Sequence, residues 1–232
     1  MFLPDPYLAI KLSLIVGGWC VLVGAPIAIL LGWLLARGSF RFKPVVSSVL
    51  LVPLVLPPVV TGLLLLDLFG RSSPVGRALA ALGVRVPFTL AGAVVAALVM
   101  GLPLFVLSAR SAFEAVDPRF DELARSLGMR PWRAFFKVTL PLALPGIGAG
   151  ALLAFARALG EFGATAVLSG NLEGRTRTIA MAVYTLLDAS HGGREVRVLV
   201  VSSLLISLVA LAGFEALVRW QHRRLEFARD AG

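Results

Sequence analysis

Residues 154–165 read AFARALGEFGAT, an apolar run holding two opposite charges, Arg157 and Glu161, four positions apart. On a continuous helix, residues at i and i+4 share a face, so the spacing predicts a guanidinium–carboxylate pair. An ionisable side chain at bilayer depth costs at least about 2.5 kcal/mol unless it is paired or wetted, and such residues face a bundle interior or a cavity. Two roles stay open on the residues alone. The pair is a charged station on a pathway, with Thr165 beside it, or an internal ion pair that only fixes helix packing.

A second unusual stretch, residues 51–62, reads LVPLVLPPVVTG. Pro53, Pro57 and Pro58 each remove a backbone N–H donor and crowd the preceding turn. Non-helical backbone at membrane depth survives only where it is buried in protein or lines a wet cavity, so a broken helix facing the bundle interior is expected here. Pro57, Pro58 and Thr61 therefore join Arg157, Glu161 and Thr165 as candidates for a pathway or gate.

Other chemistries find no support. The single cysteine, Cys20, lies in an apolar run, and no Cys/His cluster has metal-ligand spacing, so neither a disulfide nor a metal site is expected. His191 and His222 fall in expected loops or tails, away from any buried site, which argues against an intramembrane hydrolase and leaves no catalytic residue to name. The phosphate loop pattern GxxxxGK[ST] is absent, so no ATP chemistry and no bound cofactor are expected on this chain.

The elements that must position these residues follow from composition. Of 232 residues, 58% are hydrophobic and 15% charged, with mean hydropathy +0.90, and such a chain needs lipid around it rather than a larger core. About 20 helical residues cross the hydrocarbon, and five segments qualify, near residues 12–36, 45–69, 88–109, 138–168 and 196–218. The whole chain, 1–232, reads as one all-α transmembrane domain. The first segment is too long for a secretory signal, Asp5 precedes it and no small-residue cleavage site follows, so it is expected to remain as a span. Gly17, Gly18, Gly24, Gly146, Gly148 and Gly150 read as close helix packing rather than as ligand positions.

Basic residues orient the bundle. Segments 37–44, 109–137 and 219–232 hold 13 of the 22 Lys and Arg, against 7 on the alternate set, which places the amino terminus outside and the carboxyl terminus in the cytoplasm. The net charge of +9 is thus mostly topological, and no aromatic-interleaved basic face suggests nucleic acid.

The inner loop, 110–137, contains a short helix with legible ends. Asp117 suits its cap and Pro118 its first position, Asp121 and Glu122 complement its positive end, and Gly128 suits its stop, giving a helix of about ten residues. Phe120, Leu123, Ala124 and Leu127 form an apolar stripe too short to span a membrane. That stripe needs either a partner's groove or the bundle itself. On the opposite side, residues 178–189 are also apolar but too short to span, which predicts an interfacial or re-entrant helix, with Arg175 and Arg177 just before it.

The inner loop resembles the EAA loop of binding-protein-dependent ABC importer permeases, through Glu122, Leu123, Ala124, Gly128, Val138, Leu140 and Pro141 at the family spacing. Leu123 stands where the pattern has its first Ala, and Val138 where it has Ile. Residues 51–60, 140–147, 157–165 and 174–179 look like the molybdate branch of that family, while sulfate and thiosulfate permeases share the RxLGEFG stretch and tungstate is a further candidate anion. The resemblance implies a type I ABC importer permease fold in a bacterial inner membrane. It also implies a second permease copy as partner in a homodimer, two cytoplasmic ATPases that carry ATP and Mg²⁺, and an external oxyanion-binding protein. Asp117, Pro118, Phe120, Glu122, Leu123, Ala124, Leu127 and Gly128 would then couple to the ATPases. An ion-coupled secondary transporter is the alternative, because broken helices and buried charges suit that class too.

Overall fold

A computed structural model describes residues 5–188 and 193–230, and every regular element among them is helical. Helix α1, Pro6–Arg37, starts six residues earlier than hydropathy suggests, because Asp5 caps it: the carboxylate accepts the Tyr7 N–H at 3.0 Å, and Pro6 takes the first turn. Among the described residues, four helical stretches are long and apolar enough to cross a bilayer: Pro6–Arg37, Leu90–Ala115, Pro131–Leu159 and Gly193–Trp220. The remaining expected span is split into α2, Lys43–Val55, and α3, Pro58–Phe69, which meet at 113°. Leu56 and Pro57, at ψ 142° and 132°, are the extended residues at the corner, as residues preceding a proline tend to be. Pro53, by contrast, is accommodated inside α2.

After α3 comes α4, Pro74–Ala81, a short helix where only a connection was expected. Its local signal is Ser73, whose hydroxyl accepts the Gly76 N–H at 2.8 Å, followed by Pro74 in the first turn. Helix α5, Leu90–Ala115, extends past the expected end at 109, and α6, Arg119–Ser126, follows it.

The fourth expected span, 138–168, departs most from expectation. The helix begins at Pro131 with α7, Pro131–Ala134, passes through a π-turn over Phe135–Thr139 and continues as α8, Leu140–Leu159. It then breaks at 160–162 and resumes as α9, Gly163–Ser169. Helix α10, Ile179–Asp188, matches the expected short element, whose final Ala189 lies outside the described residues. Helix α11, Gly193–Asp230, runs far beyond the expected end at 218, so residue 222 sits on a helix rather than in a tail; His191 lies outside the described residues.

The core lies where α1, α5 and α8 meet, around Ala28, Leu35, Phe105, Val106, Ala109, Phe113, Ala143 and Ile147. Small residues permit this approach: a Cβ on Gly17 would lie 2.7 Å from the Phe155 ring, and one on Gly150 would lie 2.7 Å from Ser108 Cβ. A Cβ on Gly18 would meet nothing within 4 Å and Gly18 is exposed, so it packs against no other helix of this chain. Helix α11 lies along α8 and turns a broad face of Val200, Leu204, Leu208 and Leu211 outward.

Candidate functional site

Two helix breaks are brought side by side. At the end of α8, Gly160 terminates the helix, and Glu161 stands in the gap before α9. Its carboxylate uses both oxygens: Oε2 pairs with Arg157 Nη1 at 2.7 Å, and Oε1 accepts the Ala164 N–H at 2.8 Å. The expected ion pair is present, yet its setting is corrected, because Glu161 lies beyond the helix that carries Arg157. Glu161 is only 2% exposed, whereas the Arg157 side chain retains 26% of its surface. A buried carboxylate needs its charge compensated. Here a guanidinium and a helix N-terminus do so together.

The second break, at Leu56–Pro57, packs against the first through α3 and α9. A Cβ on Gly62 would lie 2.9 Å from Ala164 Cα, and one on Gly163 would lie 2.8 Å from Pro58 Cβ, so the helices touch backbone to backbone. Thr61 and Thr165 are buried, Pro57 and Pro58 are exposed, and Thr61 Oγ1 has no hydrogen-bond partner among the described residues. Five of the six pathway candidates therefore sit on or beside the α3–α9 contact, and Arg157 joins them through Glu161.

The candidates in the inner loop form a separate group. Asp117 Oδ1 accepts the Arg119 N–H at 2.9 Å, and Pro118 occupies the capping position rather than the first helical one, which shortens α6 to eight residues. Gly128 turns the chain away at φ +84°, a conformation that suits glycine. The stripe expected along this helix is divided. Phe120 packs on the α1–α5–α8 core and Ala124 is buried, whereas Leu123 and Leu127 are 61% and 76% exposed, and Glu122 also faces outward. Leu127 is already the C-cap, so it has left the helical register that would turn it inward.

Two contacts at this end were not foreseen. Thr139 donates its hydroxyl hydrogen bond to Asp121 Oδ1, and Arg37, at the end of α1, donates from Nη2 to the Val116 carbonyl at the end of α5. Neither has a local signal, since each joins elements far apart in sequence.

At the other end, the Ile179 N–H donates to Ser13 Oγ at 2.8 Å, and Ile179, Met181, Ala182 and Leu186 bury one face of α10. Tyr184 stays largely exposed and meets Phe162, from the α8–α9 break, at a ring separation of 5.0 Å. Arg177 is held by Asn171 at 2.8 Å and Glu173 at 3.4 Å, while Arg175 is exposed. No group of three or more His, Cys, Asp or Glu arranged to hold a metal occurs among the described residues.

Residues 28–227 match the family of binding-protein-dependent transport system inner membrane components. The chain belongs to this family. It is thus a multi-pass inner membrane permease of the ABC transporter class. The permease is 45% identical to the molybdenum transport system permease protein ModB of Escherichia coli K12 over 226 residues, 97% of this chain and 99% of that one. It is 40% identical to ModB of Haemophilus influenzae, covering 94% of each chain. The sulfate transport system permease protein CysW of Synechocystis is more distant, at 34% identity over 75% of this chain and 63% of its own. Among solved structures, the permease is similar in fold to a chain of the inward-facing MetNI methionine ABC transporter, with TM-score 0.66, 15% identity and coverage of 93% and 94%. A bacterial alginate ABC transporter, solved with its alginate-bound periplasmic protein, aligns at TM-score 0.67 and 19% identity over 94% and 79%.

Proposed function

We propose that this permease forms the membrane pathway of an ATP-driven importer for a tetrahedral oxyanion, with molybdate as the cargo. The observation that carries the reading is the 45% identity over 97% of the chain to a molybdenum permease, against a shorter and weaker match to a sulfate permease. The whole chain acts as one transmembrane domain, amino terminus outside and carboxyl terminus in the cytoplasm. Two copies pair in the membrane, an external binding protein delivers the anion, and two cytoplasmic ATPases hold ATP and Mg²⁺.

In this reading α6 seats its exposed Leu123 and Leu127 in a cleft of the ATPase, while Phe120 and Ala124 hold it to the bundle. Closure of the ATPase pair moves α6, and the bundles alternate between outward and inward access. A switch between nearly pure states requires ATP to favour one of them by about 5.5 kcal/mol, so the coupling segment has to carry force without slack. Arg157 is the reachable cation beside the two helix breaks. Its pairing with Glu161 neutralises it locally, which suits a passing anion that must be attracted and then released.

The test is ATP-driven uptake into vesicles that hold the permease with its ATPase, using labelled molybdate, tungstate and sulfate, each with its own binding protein. Molybdate uptake that depends on ATP and on the binding protein is the expected result. Sulfate uptake alone would move the chain to the sulfate branch, and uptake without ATP dependence would favour an ion-coupled transporter.

A further inference from the structure

An eight-residue helix has little surface with which to hold its own position, and on α6 only Ala124 is buried, with Phe120 half-buried beside it. If α6 receives a push from a partner, a helix attached only through flexible connections would swivel instead of passing the push on. A directional bond from α6 to a long helix removes that freedom. Such a bond exists between Asp121 and Thr139.

Thr139 is 1% exposed and is the last residue of the π-turn Phe135–Thr139, so the next residue begins α8. A threonine in a helix usually returns its hydroxyl proton to a carbonyl in its own preceding turn. Thr139 instead gives its only hydroxyl proton to a carboxylate 18 residues earlier, on a different element. The π-turn is rare and less favourable than regular helix, and such turns recur at functional positions. Here it lets Phe135 pack against Trp33 and Phe113 at ring separations of 5.5 and 6.0 Å while Thr139 meets α6. From Thr139, α8 continues for 20 residues to Leu159 and carries Arg157 near its far end. On the opposite flank, Arg37 fixes the Val116 carbonyl, where the chain enters α6, to the end of α1.

We infer that Thr139 is a positioning residue: through its bond to Asp121 it locks α6 to the root of α8, so that displacement of α6 is delivered along α8 to the Arg157–Glu161 break. The inference rests on the reading that α6 meets the ATPase, and the experiment keeps the two apart. In vesicles holding the complete complex with its binding protein, the molybdate imported per ATP hydrolysed is measured for Thr139→Val, Thr139→Ser and Leu123→Asp. Valine keeps the shape and removes the hydroxyl. With it the complex co-purifies and hydrolyses ATP, but the transport ratio falls by about tenfold, the scale of one hydrogen bond to a charged group. Serine restores the ratio to within about twofold, because it supplies the same donor.

A normal ratio in Thr139→Val overturns the inference, and so does an equal loss in the serine variant, which would mean that only packing matters. Should the valine variant fail to reach the membrane, Asp121→Ala carries the same test from the half-buried side, with the same fall expected and a normal ratio again overturning it. Leu123→Asp alters the exposed face of α6 without touching Thr139. It is expected to lose co-purification of the ATPase, and retention of both co-purification and uptake would overturn the docking reading and, with it, this inference.

Discussion

The guanidinium of Arg157 lies 2.7 Å from the Glu161 carboxylate across the end of a helix, not along one, because α8 stops at Leu159. Glu161 therefore neutralises Arg157 and caps α9 through Ala164 at the same time. The pair is joined to the helix break that the neighbouring α3 packs against.

Removing either partner should be costly, and removing charge from both should be less so. Arg157→Met leaves a buried carboxylate with one backbone donor, and a destabilisation of about 3–5 kcal/mol is expected. Arg157→Met combined with Glu161→Gln keeps an acceptor for the Ala164 N–H and recovers part of that loss. Thermal unfolding of the purified variants, arranged as a double-mutant cycle, measures the coupling; strict additivity would remove the pair as a structural unit.

The contact between α3 and α9 has no room for a methyl group. Gly62→Ala should lower stability by about 1–3 kcal/mol, since its Cβ would meet Ala164 backbone at 2.9 Å. Gly18→Ala is the matching control: no atom lies within 4 Å, so the variant is expected to melt at or slightly above the parent temperature. Equal behaviour of the two would show that α3 and α9 are not tightly apposed.

What was legible in the sequence is what local backbone chemistry decides. Asp117, Pro118 and Gly128 announce α6 because capping and positive φ act within a few residues, and Pro57–Pro58 announce the bend for the same reason. The break after Leu159 was missed because Gly160 is unremarkable in a membrane helix, and the capping role of Glu161 appears only once the chain has turned. The π-turn was missed because Phe135 is placed by Trp33 and Phe113 from other helices. Division of the α6 stripe likewise depends on which neighbours exist, not on its period.

The stop of α6 gives a test of coupling with little effect on insertion. Gly128 is exposed at φ +84° with open space around it, so Gly128→Asp is limited by backbone strain of about 1–2 kcal/mol and by the added charge, not by a clash. Uptake should fall while the amount of permease in the membrane stays normal. Gly128→Asn, which also occurs at this helix-stop position and adds no charge, should retain more uptake. Equal uptake by parent and aspartate variant would sink the assignment of this loop to ATPase coupling.

The corner between α2 and α3 ties pathway geometry to two prolines. Leu56 and Pro57 are extended because each precedes a proline, and with Pro57→Ala and Pro58→Ala together that restriction disappears. Two prolines at interior helix positions disfavour a straight helix by about 3 kcal/mol each, so the double variant allows α2 and α3 to run on as one span. Straightening would swing α3 relative to α9, and their backbone contacts at Gly62 and Gly163 are made with the 113° bend in place. The double variant should therefore transport at least about tenfold less molybdate and show altered thiol-reagent access to a Thr61→Cys probe; the tenfold scale corresponds to about 1.4 kcal/mol of lost pathway geometry. Undiminished uptake, with unchanged access at position 61, would mean that the bend is set by packing around it and that the prolines merely accommodate it.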